Sequence, residues 1–202
     1  KNNEDTFDDD EESIVDPATY DQKSPRATFL AGCLKAGLPP RTSAMLRKRL
    51  SSKLSLRSLG IGDDVGFILA SSLNSLPFVS SIDLSDNNLT DDSMHALFKA
   101  IETNPNISEI DFSRNDIDHE SAEGLATYLA SEDCALKKMV LQAADIDDGE
   151  TEVFINALKS NRSLEELDLS HNLLGKDEVL NVVKPDLTTG GEAIAELLRA
   201  DE

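Results

Sequence analysis

A pattern of apolar residues recurs along this chain at a nearly constant spacing. Each copy is an eleven-residue segment with apolar residues at its first, fourth, sixth and eleventh positions, and three of four copies have asparagine at the ninth. The copies begin at Val79, Ile107, Leu136 and Leu164, so they follow one another at offsets of 28, 29 and 28 residues. A degenerate copy precedes them by 28 residues, at Leu54, Leu56, Leu59 and Ile61. A fixed period of this length predicts a solenoid in which each unit packs on the next.

Each repeat combines two kinds of apolar periodicity. The alternation of apolar and polar residues in the eleven-residue segment predicts a short strand whose apolar side chains point into the solenoid. The intervening side chains then point out of its concave face. After each strand, apolar residues recur at spacings of three and four, which predicts helices over 92–101, 121–129 and 151–158 that each bury one face.

The segment fits LxxLxLxxNxL, the pattern of leucine-rich repeats. One strand with one true helix in 28 or 29 residues resembles the ribonuclease-inhibitor type, and the resemblance covers about Leu54 to Leu198. It implies an α/β fold: a right-handed leucine-rich-repeat solenoid (horseshoe) of about five repeats, with a parallel concave sheet, convex helices and a helical N-terminal cap. We place the repeats at 51–78, 79–106, 107–135, 136–163 and 164–202.

Asparagine turns the chain after three of the predicted strands. The resemblance implies that its side chain satisfies backbone groups of neighbouring turns and so forms an internal ladder. Asn87, Asn115 and Asn172 fill this position, whereas Leu59 and Ala144 occupy it in the first and fourth repeats. We therefore expect the ladder to be interrupted at those two repeats.

Charge is strongly segregated along the chain, whose formal net charge is −20. Residues 1–22 carry nine acids and one base, and a stretch so poor in apolar residues predicts an acidic disordered tail. Residues 23–57 carry nine bases and no acid. Apolar residues at helical spacing within 23–50 predict a basic N-terminal cap of two short helices, broken at Pro39 and Pro40. The alternatives for this block are a site for an anion or acidic partner, and an internal cover formed with the acidic tail.

The fifth repeat departs from the regular spacing. Twenty positions separate Leu174 from Ile194, where the matching step is eight residues in the second and third repeats. About twelve extra residues, several of them apolar, therefore lie around 176–188. We interpret this insertion as a cap over the open end of the solenoid or an extended helix, because an open end exposes apolar surface. A protruding contact loop is the alternative.

The strand register places outward-facing residues of successive repeats in adjacent rows roughly 5 Å apart. Asp83 and Asp111 become like-charged neighbours, which costs stability unless a cation or a basic partner meets them. We therefore predict an acidic concave patch that binds a basic protein segment, with merely solvated aspartates as the alternative. The predicted contact residues are Asp83, Asp111, Asp168, Glu109, Glu166, Arg114, His171, Ser85, Ser113 and Gln142.

These features predict a non-enzymatic protein–protein interaction module or scaffold in the cytoplasm, which we expect to be a monomer. Its expected partner is another protein. The strong negative charge argues against nucleic acid binding, and no stretch approaches the roughly 18 apolar residues of a membrane span. Cys33 and Cys134 lack the spacing typical of a zinc site or a disulfide framework, so we predict neither a metal nor a cofactor.

Catalytic signatures are absent from the sequence, which has no GxSxG, P-loop or HExxH motif. No catalytic residue is therefore predicted. The Ran GTPase activators are built from similar repeats, and this resemblance implies a GTPase-activating protein as one alternative. Tropomodulin-like proteins carry short arrays of the same kind, which implies a cytoskeletal or ciliary scaffold as another.

Overall fold

The computed structural model describes residues 25–39, 52–73, 76, 79–175 and 189–200. The acidic tail expected over 1–22, the second helix of the expected cap and the insertion around 176–188 lie outside these ranges. Within them, strand and helix alternate from Lys53 onward.

Among the described residues, five three-residue strands form one parallel sheet, in which neighbours in sequence are also neighbours in space. The strands are β1 (Lys53–Ser55), β2 (Ser81–Asp83), β3 (Glu109–Asp111), β4 (Lys138–Val140) and β5 (Glu166–Asp168). The register pairs residues one repeat apart, so that Ile82 pairs with Leu54 on one side and Ile110 on the other. The strand register predicted from the period is therefore confirmed.

Six helices of the described ranges form a second layer, and each packs against the next one in sequence. They are α1 (Pro25–Ala36), α2 (Gly62–Leu73), α3 (Asp91–Glu102), α4 (His119–Leu129), α5 (Asp148–Leu158) and α6 (Gly190–Ala200). The three helices predicted from apolar spacing correspond to α3, α4 and α5. The solenoid with a parallel sheet and a layer of helices is therefore confirmed. Among these helices, none is both long and apolar enough to cross a membrane.

The inward-pointing strand residues form the core together with the helices. Ile82, Leu84, Ile110 and Phe112 are each at most 2% exposed. The ring of Phe112 meets that of Phe98 in α3 edge-on, with the ring centroids 5.1 Å apart. Strands of three residues make few hydrogen bonds each, so burial of this apolar surface is the main stabilising contribution.

The N-terminal helix α1 packs against α2 at the start of the array. Phe29 and Cys33 are buried in the same apolar cluster as Leu54 of β1. The two helices approach closely at Gly32, where an added Cβ would lie 2.6 Å from Cγ2 of Ile68. The first helix of the expected cap is therefore present, and its packing agrees with a capping role.

Buried asparagine side chains link consecutive repeats. Each donates from Nδ2 to the carbonyl of the residue at the sixth position of the preceding repeat, at 2.7 to 3.0 Å. Each Oδ1 accepts from two backbone amides of that repeat, at 2.8 to 3.4 Å. The residues are Asn87, Asn115 and Asn172, so the ladder implied by the resemblance is present.

The ladder is interrupted where the sequence predicts. Leu89 N donates to the side chain of Asn115 at 3.1 Å. One repeat later, Ile117 N donates to the backbone carbonyl of Ala144 at 3.3 Å, because alanine has no amide oxygen to offer. Leu59 likewise supplies no side-chain acceptor, and its side chain is 53% exposed.

A second ladder, not predicted from the sequence, links the N-termini of consecutive helices. Oδ1 of Asp63 in α2 accepts from Thr90 N at 2.8 Å, and Thr90 is the N-cap residue of α3. Oδ1 of Asp91 in α3 accepts from Ser121 N in α4 at 3.1 Å. Each aspartate therefore binds an otherwise unpaired helix-end amide of the following repeat.

Asp148 continues this ladder at the last repeat. It is 1% exposed, and its Oδ1 accepts from Gly175 N and Gly190 N, both at 2.7 Å. These glycines stand on either side of the segment 176–188, so the chain leaves the repeat and returns to it at one carboxylate oxygen. Gly190 is tightly packed there, since an added Cβ would lie 3.0 Å from atoms of Asp148, Leu174 and Thr151.

We expect Asn115→Ala to lower the free energy of unfolding by about 2–5 kcal/mol, because two buried amides lose their acceptor. Urea unfolding followed by circular dichroism measures the change. Asn156→Ala is the matched control: Asn156 is exposed on α5, and its loss should cost less than about 0.5 kcal/mol. Equal losses in the two variants would contradict a stabilising ladder.

Adjacent glycines at the start of α6 test the packing at Asp148. We expect Gly190→Ala to lower the free energy of unfolding by about 1–3 kcal/mol, since the new methyl group meets three close atoms. Gly191→Ala should be neutral or stabilise by up to about 1 kcal/mol, because no described atom lies within 4 Å of its Cβ. Thermal unfolding of the two variants measures this difference. If Gly191→Ala were the more destabilising variant, the close packing at Gly190 would not stabilise the position of α6.

Candidate interaction surface

The strands and the turns after them present rows of side chains across the sheet. The first row is Lys53, Ser81, Glu109, Lys138 and Glu166. The second row is Ser55, Asp83, Asp111, Val140 and Asp168. Two positions beyond the second row stand Arg57, Ser85, Ser113, Gln142 and Ser170, followed by Ser58, Asp86, Arg114, Ala143 and His171. The ten predicted contact residues all lie in these four rows, but they differ widely in exposure.

Asp83 is buried at 7% exposure and is fully engaged within the protein. Its Oδ1 accepts from the hydroxyl and the backbone amide of Ser85, at 2.7 and 3.2 Å. Its Oδ2 accepts from the hydroxyl of Ser55 on the neighbouring strand at 3.0 Å. Asp83 therefore offers little surface to a partner, and Ser85 is buried beside it.

These contacts determine the charge state of Asp83. Burial alone raises the pKa of the carboxyl group, but the hydrogen bonds from Ser85 and Ser55 lower it by more, and the positive charge of Lys53 lowers it further. The pKa therefore lies below its ordinary value. The negative charge of Asp83 beside Asp111 is thus compensated by groups of the protein itself, without a bound cation or partner.

Asp111 and Asp168 repeat one part of this arrangement nearer the surface. Oδ1 of Asp111 accepts from Ser113 N at 3.0 Å, and Oδ1 of Asp168 accepts from Ser170 N at 2.9 Å. Both carboxylates are half-buried. Within the described residues, no hydrogen bond reaches Oδ2 of either one, so this oxygen can accept from a bound partner.

The remaining predicted contacts divide into exposed and covered groups. Glu109, Glu166, Arg114 and His171 are exposed, Gln142 is half-buried, and Ser113 is buried. The Glu166 carboxylate accepts a short hydrogen bond of 2.5 Å from Nζ of Lys138, a residue outside the predicted contact set. This hydrogen bond, together with the charge of Glu166, raises the pKa of Lys138.

The fourth row has an unusual backbone that is common to all repeats. Its five residues have φ angles of 51° to 62°, in the left-handed region: Ser58, Asp86, Arg114, Ala143 and His171. Such a conformation costs roughly 1–2 kcal/mol for a residue other than glycine. Because every repeat has it directly before the asparagine position, the strain belongs to the turn of the fold and does not mark a local active site.

Charge is unevenly distributed over the surface. Within the four rows, β2, β3 and the turns after them contribute four carboxylates and one guanidinium: Asp83, Asp86, Glu109, Asp111 and Arg114. In the same rows, β1 and the turn after it contribute two bases instead, Lys53 and Arg57. Asp86 and both bases were outside the predicted contact set, although they occupy the same register positions. The middle of the sheet is therefore acidic and its N-terminal edge is basic.

We expect Asp83 to contribute to acid unfolding. A carboxyl group whose pKa is lowered in the folded state stabilises the protein above its unfolded pKa, near 3.9, and the stabilisation is lost as the pH falls through the folded value. Urea unfolding of Asp83→Asn between about pH 6 and pH 3 should therefore show a shallower loss of stability than the original chain. Ser85→Ala, which removes one donor, should show part of this effect, and identical pH profiles for all three proteins would contradict the assignment.

Comparisons with known proteins agree with this architecture. A family model described as "Leucine Rich repeat" matches residues 75–98, 103–126 and 160–177. The structure entitled "Leiomodin-1 Actin-Binding Site 2 (ABS2)" superposes with a TM-score of 0.59 at 12% identity, covering 87% of this chain and 86% of that one. The tropomodulin C-terminal domain from Caenorhabditis elegans superposes with a TM-score of 0.53 at 13% identity, covering 78% and 94%.

At these identities the likeness concerns the fold. No curated protein matches the sequence. The repeat, the parallel sheet and the matches nonetheless agree with one another, since the three matched stretches fall within the second, third and fifth repeats or at their borders. The chain therefore contains leucine-rich repeats, and its fold is similar to that of leucine-rich-repeat domains, consistent with the ribonuclease-inhibitor type.

Proposed function

We propose that this chain is a non-enzymatic protein-interaction module that binds a basic segment of another protein on its concave strand face. The observation that carries the proposal is the five-stranded sheet, whose outer side presents charged side chains in register over five repeats. Repeat proteins use such extended surfaces to bind partners.

Glu109 and Asp111 are the residues we expect to carry most of the recognition. They stand on the central strand β3, two positions apart, with Glu109 exposed and Asp111 half-buried. Asp83 is paired internally, so it adds negative potential to this position without offering an oxygen to the partner. A lysine or arginine side chain above β3 would therefore meet two carboxylates in an acidic surrounding.

The non-enzymatic part of the proposal rests on the sequence. It lacks the motifs of nucleophilic, phosphoryl-transfer and zinc-dependent enzymes, and His95, His119 and His171 fall in different positions of their repeats. A cytoplasmic location is also part of the proposal. It fits a chain whose two cysteines are both buried and unbridged.

Charge reversal on β3 tests the proposal. A photo-crosslinking residue in place of Ser81, in the first row, would covalently capture the bound partner, which mass spectrometry then identifies. We expect the double variant Glu109→Arg/Asp111→Arg to bind that partner at least about tenfold more weakly, because attraction becomes repulsion. Isothermal titration at low salt measures the affinity, which should also fall as salt is raised.

The matched control makes the same change of charge outside the four rows. Asp92→Arg/Glu132→Arg alters two exposed residues outside the strand rows, one in α3 and one after α4. Its affinity should stay within about twofold of the original chain. Unchanged affinity of the β3 variant, or equal weakening by the control, would refute binding on the concave face.

Actin binding is a second candidate, favoured by the likeness to a domain whose title names an actin-binding site. Titration of monomeric actin into the labelled chain, followed by fluorescence anisotropy, tests it directly. Saturable binding would make actin the partner, and its sensitivity to the β3 variant would show whether the concave face is used. The GTPase-activating alternative stays a prediction from the repeat alone.

A further inference from the structure

The acidic residues of the concave face are divided by β4. In the four rows, β3 contributes Glu109 and Asp111, and β5 contributes Glu166 and Asp168. Strand β4 and the turn after it contribute no acid to these rows. In the first row, the register places Lys138 of β4 directly between Glu109 and Glu166. Because adjacent strands lie roughly 5 Å apart, one ammonium group stands between two pairs of carboxylates.

Lys138 is engaged with β5 and not with β3. Its Nζ donates to Oε2 of Glu166 at 2.5 Å, whereas no hydrogen bond or ion pair joins it to Glu109. The hydrogen bond and the charge of Glu166 raise the pKa of Lys138 most, and the charges of Glu109 and Asp168 raise it further. The Lys138 side chain is 45% exposed, so its positive charge remains at the surface that a partner would meet.

The glutamates on the two sides of β4 therefore differ in what they offer a partner. Glu165 and Glu166 accept hydrogen bonds from Lys137 and Lys138, while among the described residues none reaches the carboxylate of Glu109. Both lysine–glutamate pairs are exposed, and such pairs add little to stability. Their lysines matter more for binding, because a positive charge on the surface opposes the approach of a partner's own base.

We propose that Lys138 is a specificity-determining residue of the concave face, which admits an isolated basic residue above β3 and excludes polybasic segments. This inference rests on the proposed function and specifies the charge pattern of the partner. In an extended segment that crosses the sheet, residues two positions apart point to the same side, about 7 Å from one another. When one base meets Glu109 and Asp111, a second base towards β5 would therefore stand near Lys138 and be repelled.

The opposite direction carries no such restriction. In the first row, Ser81 of β2 follows Glu109 on that side, and the nearest base is Lys53 on β1, one strand further. Asp83 and Asp86 add negative charge to β2 and the turn after it. A second base on the β2 side is therefore tolerated, so the selectivity has a direction along the partner.

Random peptides displayed on phage are the probes. Selection on the full chain is followed by removal of every phage that also binds the variant Glu109→Arg/Asp111→Arg, so that the remaining peptides depend on β3. These peptides should carry a single basic residue with an uncharged residue two positions away on at least one side. The strongest is synthesised with a fluorescent label, together with two versions that carry a second lysine two positions before or two positions after the first base.

Fluorescence anisotropy at about 0.15 M salt compares the affinities, because salt screens attraction by the net charge of the chain. With the original chain, one added lysine should weaken binding at least about fivefold, and the other should change it less than about twofold. Lys138→Gln should bind all three peptides within about twofold of one another. Its circular dichroism spectrum should match that of the original chain, since an exposed pair adds little stability.

Lys137→Gln is the matched control. It removes the same charge and breaks the neighbouring pair with Glu165, whose atoms are 2.9 Å apart, but Lys137 stands outside the four rows. This variant should keep the full discrimination between the two added lysines. Loss of discrimination in both variants would assign the effect to overall charge and overturn the role of Lys138.

Three further outcomes would contradict the proposal. They are an equal effect of the two added lysines on the original chain, discrimination that survives Lys138→Gln, and selection of polybasic peptides that depend on β3. In each case the concave site would stand and only the role of Lys138 would be removed. If the original chain selects no peptide that depends on Glu109 and Asp111, both proposals fail.

Discussion

The fold depends on hydrogen bonds between neighbouring repeats, because each repeat buries backbone groups whose partners only its neighbour can supply. A strand of three residues followed directly by a turn leaves several amides and carbonyls inside the solenoid, where an unpaired group costs about 1–3 kcal/mol. The Asn115 side chain serves such groups of the second repeat, and Asn172 serves those of the fourth. Each repeat is therefore completed by the next one, and the same register that satisfies the backbone aligns the surface rows.

The strand register could be predicted from the sequence because it follows from the constant spacing of the repeats. Leu84, Phe112 and Leu141 return at the same position, and their alternation with polar residues determines which side chains point outward. The interruption at Ala144 was predictable for the same reason, since a residue without a side-chain amide cannot act as a rung. Periodicity thus determined the strands, the ladder and its gap.

The burial of individual side chains and their hydrogen-bond partners were not predictable from the spacing. Alternation places Asp83 on the outer side of β2, but its burial depends on Ser55 and Ser85 closing around it, and these contacts join two repeats. The contacts of the aspartates at the helix N-termini were not predicted, because an acidic residue there is usually interpreted as a helix cap. Their signal was present, since Asp63, Asp91 and Asp148 recur in the register of the repeat.

Asp148 explains how an irregular repeat keeps its place in the array. Its carboxylate holds Gly175 N, which lies 27 residues away, the same separation as Thr90 from Asp63. The same oxygen holds Gly190 N, 42 residues away, so α6 begins where a regular helix would despite the extra residues between. The helix layer is therefore continued beyond β5, the last strand of the described residues.

The paired backbone of the sheet determines what its surface can offer a partner. On the concave face, backbone groups are already paired within the sheet, so the recognition that we propose depends on side chains such as Glu109 and Asp111 and should weaken as salt is raised. Because each of the first four repeats is paired with the one after it, the same backbone hydrogen bonds that complete a repeat also align the side chains of this face.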